Sequence, residues 1–257
     1  MVDLNHKSGF VYGRAPTDRA PLGARINMSI DAALEAEREG QHPRDYLGAS
    51  RIGEPCARRL VYEFTKTPVD PGKEFAGRTL RIFEAGHVFE DLAIRWLRAA
   101  GFDLRTEQPG GGQFGFETAG GRIRGHVDGV IVGGPDLGLD WPVLWEHKAL
   151  KASSWSDTTK KGVRLSKPVY FGQMQIYMAY LGLGSALFSA LNKDTCELYH
   201  EHVPFDPNAA QALSDKAVDV LRAADAGELL ARIATSPDFY LCRFCPFSAR
   251  CWKAGQP

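Results

Sequence analysis

The chain is 257 residues long with 44% hydrophobic and 24% charged residues, ordinary for a globular protein and enough for one sizeable core or a core plus a small accessory subdomain. No apolar stretch approaches the roughly 18–20 residues that span a bilayer, and the first ten residues hold no apolar signal-peptide region, so a cytosolic protein without a membrane partner is expected. Lysine plus arginine and aspartate plus glutamate stand at 31 each, which excludes the strongly basic chain that argues for nucleic acid from charge alone and leaves any such contact to local patches.

The first 28 residues are rich in Gly, Pro, Arg and Ala, lack periodicity and read as an irregular arm. Ser29 is placed to cap a helix over 30–39 that stops at Gly40. A second helix is expected from about Ser50 to Phe64, interrupted at Pro55. From Thr79 to Ala100, Leu80, Phe83, Val88, Leu92, Trp96 and Leu97 fall close to helical spacing, and Gly101 ends the run. Two strands follow, over 122–132 and 143–150. Residues 168–183 read as a helix with proline in its first turn. Strands over 186–191 and 197–203 are joined by Asn192-Lys193-Asp194, a helix covers 208–224, and a cysteine-rich tail closes the chain. This order is that of an α/β protein with no break that demands a second domain.

The central chemical signal is Asp128 in Gly-His-Val-Asp-Gly, followed 18 residues later by Glu146-His147-Lys148. Side chains two apart on a strand share a face, so Glu146 and Lys148 emerge together. Pairing with the preceding strand brings the Asp128 carboxylate alongside. Two converging carboxylates suit a hard divalent cation, Mg²⁺ or Mn²⁺. Phosphodiester cleavage uses such a site, with a lysine beside it to orient water and offset transition-state charge. The pattern by itself is short, and a glycine-rich turn beside a surface Glu/Lys pair would also produce it.

Cys242, Cys245 and Cys251 form C-x2-C-x5-C, with Cys56 far upstream. Clustered cysteines in a reducing compartment point to metal rather than disulfides. The four thiolates close one site only if the chain ends meet, and spacing alone does not decide between an iron–sulfur cluster and structural zinc. Cys196 belongs to neither set and is expected to be a buried small hydrophobe. Between the lysine strand and the next helix, 151–167 reads as a basic loop. Its Lys151, Lys160, Lys161, Arg164 and Lys167 surround Trp155, a combination suited to single-stranded or frayed DNA or to a solvated surface. Arg58, Arg59, Arg78 and Arg81 are further candidates for phosphate contact. His200-Glu201-His202 reads as the exposed edge of a strand rather than a metal pair.

His87 after Gly86, Asp128, Glu146-x-Lys148 and Gln173-x-x-x-Tyr177 together resemble, in type, order and rough spacing, the RecB-like branch of the PD-(D/E)XK nucleases. Within it the chain looks most like the iron–sulfur exonucleases of CRISPR adaptation and related phage recombination exonucleases. Leu47-Gly-Ala-Ser-Arg-Ile and Cys56-Ala-Arg-Arg add to the likeness, which spans about 46–252. The proline often found after the first cysteine is absent, and Pro55 precedes it instead.

The resemblance implies a central mixed sheet flanked by helices, with a cluster joining the N-terminal helix to the C-terminal tail. It further implies Asp128, Glu146, His87 and the main-chain carbonyl of His147 as ligands of Mg²⁺ or Mn²⁺, and Lys148 as the catalytic lysine. Gln173 and Tyr177 would contact substrate or support the site. The isolated first cysteine and the tail spacing imply a 4Fe–4S cluster on Cys56, Cys242, Cys245 and Cys251, with structural zinc as the alternative. The expected organisation is one nuclease domain over 1–257: an arm and helix (1–45), a first-cysteine segment (46–78), a catalytic core (79–205), and a helix with the cysteine-rich tail (206–257). The expected function is a DNA exonuclease acting on ends or single strands in recombination, repair or spacer processing, with a recombination or annealing protein as a partner. The alternatives are a structure-specific endonuclease, a non-catalytic cluster-bearing DNA-binding subunit, and a zinc-stabilised interaction protein.

Overall fold

The structure, a computed structural model, describes residues 20–42 and 44–253. Its elements run α1 (Leu22–Glu39), β1 (Leu47–Gly48), α2 (Ala49–Ile52), α3 (Ala57–Phe64), α4 (Gly77–Ala99), β2 (Leu104–Arg105), β3 (Gly115–Thr118), β4 (Ile123–His126) and β5 (Gly129–Ile131). They continue as β6 (Val143–Leu150), α5 (Ala152–Ser166), α6 (Pro168–Leu181), β7 (Ser185–Asn192), β8 (Leu198–Pro204), α7 (Pro207–Ala226), α8 (Tyr240–Arg243) and α9 (Ser248–Cys251). Among the described residues no helix is long and apolar enough to cross a membrane.

The main sheet has the order β2-β5-β6-β7-β8. Only β6 and β7 are parallel, and α5 and α6 fill the crossover that a parallel pair requires. Alternation along the strands separates two apolar layers. Leu144, Phe188 and Ala190 join the larger core beneath α6 and α7, while Val143, Trp145 and Leu187 join a smaller one with Ala93 of α4. A second sheet, β1-β4-β3, packs beside the first.

Several expectations change here. Of the arm expected over the first 28 residues, 1–19 lie outside the described residues, and from Leu22 onward the chain is helical. Ser29 is not a cap. It sits inside α1, where its hydroxyl donates to the Arg25 carbonyl four residues back, a bond open to a serine at any interior helical position. The strand expected over 122–132 is two strands in different sheets, and the break falls at Asp128. The short strands β1, β2 and β3 carry too few residues for a periodic signal. The basic segment 151–167 is mostly helix α5, bent where Gly162 takes φ 75°; the bend is held by Val163 N–H donating to Glu201 Oε2 at 2.7 Å. Cys196 is exposed, at φ 62° in the turn between β7 and β8. It lies outside the apolar layers because that turn projects past the sheet's end.

The segment from α3 to Asp70 meets the cysteine-rich tail. Asp70 accepts from the Ala249 N–H at 2.6 Å and the Arg250 N–H at 3.2 Å, and its own N–H donates to Pro246. Tyr62 of α3 stacks on Phe247 with ring centroids 5.1 Å apart. Arg58 donates to the Leu230 carbonyl and Arg232 to that of Cys251. Arg59 pairs with Glu54 and Glu63. Both α3 arginines are therefore committed to this junction rather than to a phosphate-binding surface.

Candidate active site

Asp128 occupies the bend where the chain leaves one sheet and enters the other. Its neighbour Gly129 pairs antiparallel with Trp145, so one further step of the register sets Asp128 beside Glu146. The His147 N–H donates to Asp128 Oδ2 at 2.8 Å and ties that bend to β6. Glu146 is fully buried. Its Oε1 accepts from Gln173 Nε2 at 2.8 Å and contacts the Lys148 ammonium, while Oε2 is buried without a hydrogen-bond partner. The same ammonium lies 3.5 Å from Asp128 Oδ2 and donates to the His147 carbonyl at 2.7 Å. Asp128, Glu146, Lys148 and the His147 carbonyl, expected together from the sequence, thus surround one point.

A third carboxylate was not anticipated. Burial first, and then the Asp128 charge, push Glu90 of α4 up to about 7. Burial and the same neighbour push Glu146 up to about 8. Burial alone would depress Lys148, but Asp128 and Glu146 outweigh it and hold the ammonium firmly protonated. Asp128 and Glu146 share the Lys148 ammonium with Glu90 nearby, and ionising all three carboxyls would leave an excess of two negative charges, which a divalent cation would offset. The lone buried oxygen of Glu146 is the kind of donor a hard ion satisfies, and the residues present fit Mg²⁺ or Mn²⁺.

His87 is exposed on α4. Among the described residues no three His, Cys, Asp or Glu side chains are drawn together on one ion-sized point, whether the third beside Asp128 and Glu146 is His87 or Glu90. The helix presents Glu90, one turn later, to them instead. The pattern His-x-x-Glu on a helix places both residues near one face, and it was the available signal for Glu90. His147 points its ring to the other side of β6, stacked on Trp145. Burial and then Lys148 lower it to about 4. Only its main chain faces the carboxylates.

Gln173 and Tyr177 lie one turn apart on α6, both buried, and Gln173 Nε2 stands 3.5 Å from the Tyr177 hydroxyl. Tyr177 is pushed upward, by burial and then by Glu146, and stays protonated. Gly125 explains how the ring fits. A Cβ there would stand 2.5 Å from Tyr177 Cε1 and 2.7 Å from Phe116 Cε1. Gly125→Ala is expected to cost about 1–3 kcal/mol by overpacking and to displace Tyr177, and Gln173 with it. Chemical denaturation alongside a cleavage assay checks both effects, and unchanged stability would contradict the close packing.

Trp155 is not presented for stacking on a base. Its ring packs against the larger core and its indole N–H donates to Ala190 at 3.3 Å, because α5 must cover β7. Lys161 pairs with Asp157, whereas Lys151 and Lys160 are exposed. Glu201 holds Val163 and Tyr199, and His200 meets Ser189, so His200-Glu201-His202 serves strand β8.

Cys56, Cys242, Cys245 and Cys251 line a single cavity walled by Arg58, Tyr62 and Arg232. None of the four is in a disulfide, and burial raises Cys56 and Cys245. Among the described residues the four cysteines share this cavity but are not drawn together as an ion-holding group.

No protein-family model matches the sequence, and no curated protein does. Solved structures do. LHK-Exo, an alkaline exonuclease from Laribacter hongkongensis, aligns over 78% of this chain and 93% of its own at TM-score 0.51 and 16% identity. This chain shares that fold. The structure of LHK-Exo in complex with dAMP gives the same coverage at TM-score 0.50 and 17% identity. SSO0001 aligns over 90% of this chain and 96% of its own at TM-score 0.46 and 16% identity. The α/β core of mixed sheet and flanking helices is therefore one that an exonuclease also uses.

Proposed function

We propose that this chain is a divalent-metal-dependent nuclease of the PD-(D/E)XK type that hydrolyses DNA from its ends. The observation that carries the reading is the gathering of Asp128, Glu146 and the His147 carbonyl about the Lys148 ammonium, with one Glu146 oxygen left without a partner. The shared fold with an exonuclease, solved also with dAMP, supports DNA as substrate.

Asp128, Glu146, Glu90 and the His147 carbonyl would hold Mg²⁺ or Mn²⁺. When bound, the metal activates water and offsets charge on the phosphoryl and leaving oxygens. Lys148 is placed to orient the attacking water and to balance the extra negative charge as the new P–O bond forms and the old one breaks. Gln173 keeps Glu146 in one rotamer through its amide donor. Tyr177, kept neutral, backs that amide. The reading is tested with linear and covalently closed circular single-stranded DNA in Mn²⁺. Linear DNA is expected to be degraded to nucleotides, EDTA to stop the reaction, and circles to survive. Cleaved circles would replace the exonuclease with an endonuclease, and no cleavage of either would remove the nuclease reading.

The raised carboxyls set a pH dependence. Between the ordinary glutamate value of 4.5 and about 8, folded Glu90 and Glu146 hold protons that the unfolded chain has released. Stability contributed by this site therefore falls as pH rises through that window. Metal binding requires the ionised carboxylates, so affinity for Mn²⁺ rises over the same interval. Melting curves in EDTA should show a Tm that declines from pH 6 toward pH 8, and saturating Mn²⁺ should remove the decline. A metal-free Tm that rose across that interval would contradict the assignment.

The second part of the proposal is a 4Fe–4S cluster on Cys56, Cys242, Cys245 and Cys251. It is supported by their shared cavity and by the junction of α3 with the tail around it. Its role is structural, since hydrolysis moves no electrons. Anaerobic purification should give a brown protein containing iron, whereas a colourless protein with one zinc would assign the site to zinc.

A further inference from the structure

The cysteine cavity holds two polar side chains that the fold alone does not explain. Arg58 and Tyr62 stand four apart on α3 and so share one face of that helix. Both line the cavity with Cys56, Cys242, Cys245 and Cys251, and both are buried, at 3% and 4% exposure. Arg58 Nη1 donates to Cys251 Sγ at 3.9 Å, while its Nε donates to the Leu230 carbonyl. The Tyr62 ring stacks on Phe247, but its hydroxyl is buried with no hydrogen-bond partner. The Cys251 thiol lies close enough to act on that hydroxyl, yet does not accept from it.

A buried hydroxyl left without an acceptor costs about 1–3 kcal/mol. Phenylalanine would keep the ring stack without that cost, so packing does not account for a tyrosine at this position. A group ligated by the four thiolates supplies the missing acceptor, because its sulfurs carry negative charge and bonds to them from O–H and N–H are charge-assisted. The wall suits such a group, since Arg58, Arg59 and Arg232 line it with a single carboxylate, Glu54. The orphaned hydroxyl, the guanidinium on Sγ and the cationic wall together fit an anionic, sulfur-ligated cluster. We propose that Tyr62 and Arg58 are the outer donors of this site, the phenol O–H and the guanidinium N–H both bonding sulfur on the Cys251 side of the cavity. This rests on the cluster reading. Neither residue meets the hydrolytic carboxylates, so both are positioning residues: from α3, which follows Cys56, they hold the Cys251 thiolate across the junction with the tail.

The reduction potential of the cluster reports these bonds directly, although hydrolysis does not use it. Reduction adds one negative charge, and donors to sulfur favour the more negative form, so losing a donor lowers the potential. The full chain is purified anaerobically with its iron, and its midpoint is read by mediated dithionite titration with EPR detection. Tyr62→Phe keeps the stack and removes only the hydroxyl. At the wild-type midpoint its reduced-to-oxidised ratio should fall about tenfold, a shift of about 59 mV for one electron. Arg58→Gln should fall at least as far, and Arg58→Lys, which keeps the charge, should recover most of the loss. Tyr240→Phe is the control, two residues from Cys242 with an exposed ring outside the cavity, and should titrate with the wild type. Iron content and Tm are compared throughout, and if Arg58→Gln does not fold, Tyr62→Phe decides alone. A Tyr62→Phe midpoint equal to the wild type overturns the proposal, as does an equal shift in Tyr240→Phe. A wild type without iron removes the cluster reading and this proposal with it, whereas a brown wild type with unshifted variants removes only the donors.

Discussion

Asp128→Ala, Glu146→Gln and Lys148→Ala are each expected to lower DNA cleavage by about 10³-fold or more, the scale set by losing a charge-stabilising group from a preorganised site. The three differ in what they do to the metal-free fold, and this separates the charge account from a general structural one. Glu146→Gln keeps a side chain of the same shape that can still meet Gln173 and removes one of three crowded acids. It should melt no lower than wild type and in EDTA should melt higher. Lys148→Ala removes the one ammonium that Asp128 and Glu146 share. The metal-free protein should then lose about 3 kcal/mol, as when one partner of a buried ion pair is deleted, and recover part of it with Mn²⁺. Differential scanning fluorimetry with and without Mn²⁺, run beside the cleavage assay, reads both quantities. Activity within tenfold of wild type in all three variants would end the active-site assignment. Equal destabilisation of Glu146→Gln and Lys148→Ala would end the charge account.

Cys56→Ser is expected to have the largest effect on stability. The tail from Ser236 to Trp252 contains only two one-turn helices, far too short to persist alone. It is held to the body by Asp70, by the Tyr62–Phe247 stack and by whatever Cys56 shares with Cys242, Cys245 and Cys251. Binding that exists only in the folded state contributes directly to folding free energy. Removing one of four ligands should cost on the order of 5 kcal/mol, the upper end of single-site effects. For a chain of this size that is about 10–20 °C in Tm. Iron content should fall in parallel, and the tail should become the first site of proteolysis. Cys196→Ser, at an exposed turn outside the cavity, should leave iron content and Tm unchanged. A Cys56→Ser protein that retains iron, or that melts with wild type, would mean the four thiols do not act as one ligand set.

Much of this molecule is legible before any coordinates. Helices α4 and α7 follow from apolar periodicity, and α6 from the proline in its first turn. Strands β6 and β7 follow from their apolar runs. The alternation on β6 alone puts Glu146 and Lys148 on one side and His147 on the other. The likeness of Asp128, Glu146-x-Lys148 and Gln173-x-x-x-Tyr177 to a nuclease pattern named the residues that do gather. What was missed was either too short to be periodic, as with β1, β2 and β3, or was disguised by composition. A basic segment with nine intervening polar or small residues reads as a loop, yet 151–167 is mostly helical because Trp155, Thr158 and Val163 turn inward against the sheet.

By itself the sequence determined which groups are available: two acids and a lysine at strand spacing, a glutamine and a tyrosine at helical spacing, and three cysteines in a short tail. These are local properties, set by the two-residue and 3.6-residue repeats of the backbone. Only the tertiary structure decided which of them meet. It split one apparent strand between two sheets so that Asp128 stands at their joint, turned Glu90 rather than His87 toward the carboxylates, buried Trp155, and brought residue 56 to the tail nearly two hundred residues later. Such choices depend on helix rotation, strand register and the burial of apolar faces by distant parts of the chain, and none of these is encoded within a window of a few residues.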